Sequence, residues 1–248
     1  MEHGTFAALF RHEFHMDFRR WRNLKWAWIY VAALLVLALA ALTLWGGQKG
    51  FRLEFLLFAT YAFPYLVFGF SYRSVKREWT GSTFGWWLTL PYSRARLLLA
   101  KYAASLGQTG IALAAYFGAV TLLALYNAAV HGASGSELRQ FAEVAVQYLL
   151  IVAFISPFML SLGLLTGILV RSHWKALLPL TWVAFGVLGN VLNWLNLARN
   201  SGPAGDDYDP TLFPLESPVY WLGVPAILAL ASLLLAGAVK VCNKYLAL

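Results

Sequence analysis

The sequence is poor in charged residues and in cysteine. Asp, Glu, Lys and Arg make up 12% of the 248 residues, whereas soluble domains contain about 25%. Residues of the AVILMFWYC set make up 60%, and a chain of this size has too little interior to bury so much apolar surface in water. The composition therefore excludes a soluble enzyme, a disordered chain and a secreted disulfide scaffold. The single cysteine, Cys242, excludes an intrachain disulfide.

The motifs of several enzyme classes are also absent. The sequence has no phosphate-binding G-x-x-x-x-G-K-S/T run, no H-E-x-x-H and no G-x-S-x-G. We therefore predict no catalytic residues and no ATPase activity in this chain. His3, His12 and His15 are close together, but we expect them to be solvated on a basic helix and predict no metal site. We expect His131 and His173 to be isolated loop residues.

Long apolar runs dominate the rest of the sequence. A membrane-spanning helix needs about 20 mostly apolar residues, and six stretches meet this requirement. They are residues 26–45, 53–72, 97–126, 144–170, 176–195 and 219–239. The sequence thus predicts an all-α membrane protein with six transmembrane helices, divided into a short N-terminal segment, 1–25, and a transmembrane domain, 26–248.

The net charge of +8 is distributed unevenly between alternate connecting segments. One set, which includes both termini, contains 15 Lys and Arg residues and 4 acids, and the other set contains 4 and 7. Because basic residues are enriched in cytoplasmic loops, both termini are predicted to be cytoplasmic. The basic charge is thus assigned to membrane orientation, and no nucleic-acid partner is predicted.

Residues 5–24 form an amphipathic pattern before the first span. Aromatic residues fall within a 120° arc at helical spacing, and most basic residues lie opposite them. The aromatic set comprises Phe6, Phe10, Phe14, Phe18 and Trp21. This pattern predicts a helix in the headgroup plane of the lipid bilayer. Glu13 and Asp17 interrupt it, and we expect them to contact a partner protein or Arg20.

The segment 73–96 is a long loop that is rich in Trp and Arg. Four apolar residues and one threonine of its first part fall on one face if it is helical, namely Val75, Trp79, Thr83, Trp86 and Leu90. Pro91 ends such a helix because the residue before proline leaves the α region. Ser93 is a predicted N-cap of the third span. The segment has the properties of a docking element.

The spans contain few charges but several uncharged polar residues. Glu54 and Lys101 are near the ends of spans, where we expect their side chains to reach water. The polar residues Gln147, Asn190, Asn193 and Asn196 either form hydrogen bonds between helices or line a translocation path; the sequence leaves both open. Gly163 and Gly167, like Gly186 and Gly189, are spaced for close helix packing.

The order of residues in segment 73–101 resembles that of a known family. An acidic residue is followed by Thr, a Leu-rich run with Pro, a small residue, a basic residue and Lys. These are Glu78, Thr83, Leu88 to Pro91, Ser93, Arg94 and Lys101. The segment and the six-span layout are similar to those of type-2 ABC-transporter permeases, the membrane subunits of ABC exporters.

The resemblance implies that separate chains form the membrane path and hydrolyse ATP. Separate ATP-binding cassette subunits, which hold ATP and magnesium, would dock on loop 73–96 as a coupling helix. The coupling residues would be Arg77, Glu78, Trp79, Thr83, Trp86, Leu90, Pro91 and Arg94. A connecting helix would carry Phe10, Phe14, Phe18 and Trp21. A second permease subunit would complete the substrate path, and the complex would lie in the bacterial inner membrane.

Two other functions remain open from the sequence. A non-transporting scaffold or immunity protein would bind its partner laterally and use the same loop for another cytoplasmic protein. A secondary transporter is disfavoured because the spans contain few embedded charges and no repeated half. The sequence does not specify the substrate.

Overall fold

The structure is a computed structural model, and it describes residues 2–23, 25–47, 53–81, 92–132, 134–190 and 218–244. Within these ranges the chain is helical and contains no β-strand. The helices are α1 (Glu2–Asn23), α2 (Lys25–Trp45), α3 (Phe63–Thr80), α4 (Arg94–His131), α5 (Gly135–Leu169), α6 (Leu178–Gly189) and α7 (Pro218–Lys244). A 3-10 helix, Leu53–Ala62, precedes α3, and a short one, Lys175–Leu177, precedes α6.

Five of the six predicted spans correspond to helices that are long and apolar enough to cross a membrane. These are the helices of the first, second, third, fourth and sixth spans. The predicted fifth span, 176–195, is represented by a shorter apolar helix over Lys175–Gly189, and residues 191–195 lie outside the described ranges. The described part of the chain therefore contains five helices that could span a membrane, and the fifth predicted span stays a prediction.

Helix α5 is the centre of the bundle. In its most apolar 18-residue window 67% of the residues are buried, compared with 6% in α2 and 11% in α7. It packs mainly against α3 and α7. Two glycines allow α3 to approach closely, because a Cβ atom at Gly163 would lie 2.6 Å from the Phe68 carbonyl oxygen and one at Gly167 would lie 2.9 Å from Val75 Cβ. The predicted packing role of these glycines is confirmed.

The helices extend further than the apolar runs. Residues 73–80, predicted as the first part of a loop, are the last turns of α3, which ends at Thr80 and is followed by Gly81 as its C-cap. At the other end of the bundle, predicted loop 127–143 is reduced to a turn between α4 and α5. Gly132 adopts the left-handed conformation with φ 71° there, and the Ser134 side chain caps α5. Hydropathy marked the lipid-embedded part of each helix but not its ends.

Candidate functional site

A cluster of four charged side chains joins three helices at one end of the bundle. Lys101 Nζ, on α4, donates 2.8 Å hydrogen bonds to Glu13 Oε1 of α1 and to Glu78 Oε1 of α3. Lys101 is 1% exposed, and the two carboxylate side chains are 11% exposed. We call Glu13, Arg77, Glu78 and Lys101 the ion cluster.

Arg77 completes the charge balance of the ion cluster. Its Nη2 atom donates a 2.9 Å hydrogen bond to Glu13 Oε2 and lies 3.6 Å from Glu78 Oε1. Two cations thus face two carboxylates, and each carboxylate lies near both cations. Buried ions are tolerated only when they are paired and hydrogen-bonded. The cluster is consequently a fixed junction that depends on all three helices.

The ion cluster corrects one sequence-based expectation, that Lys101 reaches water, and adds a contact for Glu13 that the sequence did not predict. Lys101 does not reach water, because its ammonium group is enclosed by the two carboxylates. Glu13 pairs with Arg77 and Lys101 within the same chain, whereas the side chains of Asp17 and Arg20 lie outside the described part of the chain. Two features of the sequence mark these residues as unusual, an acid beside the aromatic stripe of one amphipathic helix and a lone base inside an apolar span, but neither feature identifies the partner.

The aromatic face of α1 packs on α4. Phe10 and Phe14 stack with their ring centroids 5.7 Å apart, and a Cβ atom at Gly107 would lie 3.2 Å from the Phe14 ring. Gly107 thus provides the space for this contact. Phe18 and Trp21 also belong to α1, but their side chains are outside the described part of the chain. The apolar stripe was predicted to face lipid, but Phe14, which belongs to it, contacts α4.

Trp79 connects the end of α3 to the central helix. Its indole Nε1 donates a 3.3 Å hydrogen bond to the Gly167 carbonyl oxygen of α5. The Arg171 guanidinium lies 5.8 Å from the centroid of the Trp79 ring, at cation–π distance. Trp79 is therefore held between two parts of the chain that follow one another, the end of α5 and the segment after it.

Arg94 makes the corresponding connection on the other side of segment 82–91. It donates hydrogen bonds to the carbonyl oxygens of Cys242 and Asn243, the latter at 3.2 Å, at the C-terminal end of α7. A cation is favourable there because the last carbonyl groups of a helix carry partial negative charge. The predicted N-cap is also confirmed, since Ser93 Oγ accepts a 3.3 Å hydrogen bond from the Arg96 N–H.

The predicted coupling residues divide into two groups. Arg77, Glu78, Trp79 and Arg94 are described and lie at the two ends of segment 82–91, where each contacts another helix. The remaining predicted residues of this set lie outside the described ranges; they are Thr83, Trp86, Leu90 and Pro91. The structure thus places the flanking residues in the bundle.

The predicted polar strip is described only in part. Gln147 is buried on α5. Asn190 follows α6, and its Nδ2 donates a 2.8 Å hydrogen bond to the Gly186 carbonyl oxygen of the same helix. Asn193 and Asn196 lie outside the described ranges. One donor of Asn190 is thus used by a bond to α6, and both alternatives for the polar residues, hydrogen bonds between helices and a translocation path, stay open.

His131 is not the isolated loop residue that the sequence suggested. It is the last residue of α4, and its Nε2 lies 2.9 Å from the Leu42 carbonyl oxygen of α2. Thr43 Oγ1 and the Tyr126 hydroxyl form a second polar contact between these helices, at 3.0 Å. These bonds attach the first span, which is otherwise almost unburied, to α4. No group of three metal-binding side chains occurs among the described residues.

Comparison with known proteins identifies a related family. The sequence model of a family described as "ABC-2 family transporter protein" matches residues 14–189. The match covers more than two thirds of the chain, including three members of the ion cluster other than Glu13, and both flanks of segment 82–91. No curated protein matches the chain.

Proposed function

The chain belongs to the ABC-2 family of transporter proteins, and on this basis we propose that it is the permease subunit of an ATP-driven exporter. The family supports a transport role in a multi-pass membrane protein. We propose further that separate ATP-binding cassette subunits, with ATP and magnesium, dock on loop 73–96 from the cytoplasm. A second permease subunit would complete the complex in a bacterial inner membrane, with the substrate path between the two subunits.

The observation that carries this proposal is the attachment of both ends of segment 82–91 to the bundle. On one side the ion cluster ties α3 to α1 and α4, and Trp79 ties it to α5. On the other side Arg94 ties the start of α4 to the end of α7. A displacement of the segment by a docked ATPase would therefore act on α1, α4, α5 and α7 as well as on α3.

The buried charges make such a displacement a rigid-body movement. Separating Lys101 from either carboxylate would leave a buried charge without its partner, which is costly. The ends of α1, α3 and α4 are therefore expected to move together rather than slide past one another. In this proposal ATP-driven closure of the docked subunits rocks this unit and alternates access to the path.

The path itself is proposed to run along the polar residues of the outer half of the spans, Gln147, Asn190, Asn193 and Asn196. Uncharged polar groups on apolar helices suit an amphipathic substrate better than a bare ion, because they offer hydrogen bonds without the cost of an embedded charge.

The experiment that tests the proposal replaces residues 82–91 by a Gly/Ser linker of equal length. This variant retains α3 through Thr80 and the ion cluster. The full-length protein is purified in mild detergent with the ATP-binding subunit that accompanies it, and ATP hydrolysis is measured in liposomes. We expect loss of the ATPase subunit or of transport-coupled hydrolysis.

The matched control replaces residues 200–209 by the same linker. These residues connect the fifth and sixth predicted spans, and the charge distribution predicts that they lie on the side of the membrane opposite to the termini. We expect this control to keep both the ATPase subunit and coupled hydrolysis. Normal coupled hydrolysis in the 82–91 variant would contradict the docking site. Purification of the intact chain with a different cytoplasmic protein and no ATPase would support the non-transporting scaffold instead.

A further inference from the structure

A cleft opens between the last three described helices. It has a volume of about 480 Å³ and is bounded by α5, α6 with its preceding turn, and α7. Apolar side chains form its walls, among them Phe158 and Leu162 of α5 and Leu234 of α7. A volume of this size is within the range of small-ligand sites, roughly 300–1,000 Å³.

The length of the cleft corresponds to one leaflet of a bilayer. Its lining on α5 runs from Phe158 to Leu169, which at 1.5 Å per residue is about 16 Å. The hydrocarbon core of a membrane is about 30 Å thick, so that one leaflet contributes about 15 Å. The cleft thus has the depth that an extended acyl chain of a single leaflet occupies.

The charged residue and the tryptophan of the lining lie at one end of the cleft. Lys240 of α7 and Trp174 line it near Leu169. Arg171 and Lys175 belong to the same short connection as Trp174. This is the end of the bundle at which Trp79 contacts Gly167. None of the described lining residues is acidic, so this end of the cleft matches an anion.

We infer that the cleft binds one phospholipid with an anionic headgroup, with an acyl chain along α5 and the phosphate paired with Lys240. Basic sites between membrane helices recognise anionic lipid headgroups in this way, while an adjacent Trp suits the headgroup depth. The inference concerns a bound lipid and does not depend on the transport function proposed above.

Charge also distinguishes this occupant from a second copy of the chain. Helices α6 and α7 contain no Asp or Glu. A symmetric contact through these helices would therefore bring Lys240 toward another Lys240 and offer it no carboxylate. The phosphate of a lipid supplies the negative charge that a second copy lacks.

The test is native mass spectrometry of the full-length protein in mild detergent, with added dioleoyl phosphatidylglycerol or dioleoyl phosphatidylcholine. Two variants probe the two ends of the cleft, each with a matched control on α7. Lys240→Gln removes the proposed headgroup contact, and Lys244→Gln removes an equal charge one turn beyond the cleft. Gly237→Phe fills the cleft, and Gly223→Phe adds the same ring outside it; a Cβ atom at either glycine meets no atom within 4 Å.

We expect one retained phosphatidylglycerol per chain and weaker retention of phosphatidylcholine. Lys240→Gln should weaken phosphatidylglycerol retention about fivefold, as expected for about 1 kcal/mol per basic residue near a membrane surface. Gly237→Phe should abolish retention, and both controls should behave like the wild type. The surface variant Lys240→Gln makes the test decisive even if Gly237→Phe fails to fold.

Three results would overturn the inference. Equal retention of the two lipids would show that Lys240 does not select a headgroup. An equal loss in Lys240→Gln and Lys244→Gln would show general attraction of anionic lipid to basic residues. A change from dimer to monomer in Gly237→Phe, with lipid retention unaltered, would identify the cleft as an interface between copies.

Discussion

Lys101 Nζ lies 2.8 Å from Glu13 Oε1, although 88 positions separate the two residues in the chain. The bond joins the N-terminal helix α1 to the spanning helix α4 at a place where the Lys101 side chain is 1% exposed. Charge-assisted hydrogen bonds are among the strongest in proteins, and their loss leaves an unpaired buried charge. Helix α1 is therefore part of the bundle and not only a surface anchor.

The first prediction concerns Lys101, which is the cation shared by both carboxylates. Lys101→Met leaves Glu13 and Glu78 facing each other with Arg77 alone as counter-ion. Breaking a buried ion pair by removing one partner typically costs about 3–5 kcal/mol. We expect Lys101→Met to lower the thermal unfolding temperature of the detergent-purified protein by several degrees, measured by intrinsic tryptophan fluorescence.

Arg139→Met is the control for this experiment. Arg139 pairs with Glu143 on the surface of α5, where the side chains are 83% and 53% exposed. Such exposed pairs contribute about 0.3–0.5 kcal/mol, so its unfolding temperature should be close to that of the wild type. Equal behaviour of the two variants would show that the ion cluster contributes no more than a surface pair.

The second prediction concerns the coupling between Glu13 and Lys101. In a double-mutant cycle, Glu13→Gln, Lys101→Met and the combined variant are compared with the wild type. Residues in direct contact within one ion network show coupling free energies of about 0.5–3 kcal/mol. We expect a value in this range, together with faster hydrogen exchange of α1 in Glu13→Gln. A coupling near zero would mean that the bond between Glu13 and Lys101 does not help to hold α1 in the bundle.

Several features of the structure were predictable from local sequence. Ser93 has the side chain that caps a helix, and Gly163 and Gly167 have the spacing that allows helices to approach closely; both signals are visible within a few residues of sequence. The apolar runs located the five spanning helices because transfer into lipid depends mainly on composition. Family membership followed from the order of residues in segment 73–101.

The ion cluster and the helix ends were not predictable in the same way. The partner of Lys101 depends on where α1 packs, which no local pattern specifies. The extent of α3 depended on the same contacts. Because its last turns carry charged residues, hydropathy assigned them to a loop. In the structure Arg77 and Glu78 are stabilised there by Glu13 and Lys101. Hydropathy measures affinity for lipid and does not detect charges neutralised by tertiary contacts.

The third prediction concerns the contact of α3 with α5. A Cβ atom at Gly163 would clash with Ser71 Oγ and lie 2.6 Å from the Phe68 carbonyl oxygen, and backbone cannot move aside without displacing α3. We expect Gly163→Ala to destabilise the protein by about 1–3 kcal/mol through overpacking. Gly118→Ala, where a Cβ atom meets nothing within 4 Å, should be neutral or stabilising by up to about 1 kcal/mol. Destabilisation of similar size in both variants, measured by thermal unfolding, would contradict this explanation.

The fourth prediction concerns Trp79 as the link between segment 82–91 and α5. In the proposed transporter, Trp79→Ala removes both the hydrogen bond to the Gly167 carbonyl and the ring beside Arg171, but leaves segment 82–91 available for docking. We expect the ATPase subunit to co-purify in unchanged amount. Transport-coupled ATP hydrolysis should fall fivefold or more, since coupling free energies between sites are typically about 1–3 kcal/mol. Trp79→Phe, which keeps a ring but no donor, should be intermediate.

Trp28→Ala is the matched control for this measurement. Trp28 lies in the first turns of α2 and is 58% exposed, so its loss should leave coupled hydrolysis unchanged. If Trp79→Ala instead releases the ATPase subunit, Trp79 belongs to the docking surface and not to the link with α5. If Trp79→Ala hydrolyses ATP as the wild type does, movement reaches the bundle through the ion cluster and Arg94, and Lys101→Met should then be the variant that uncouples hydrolysis from transport.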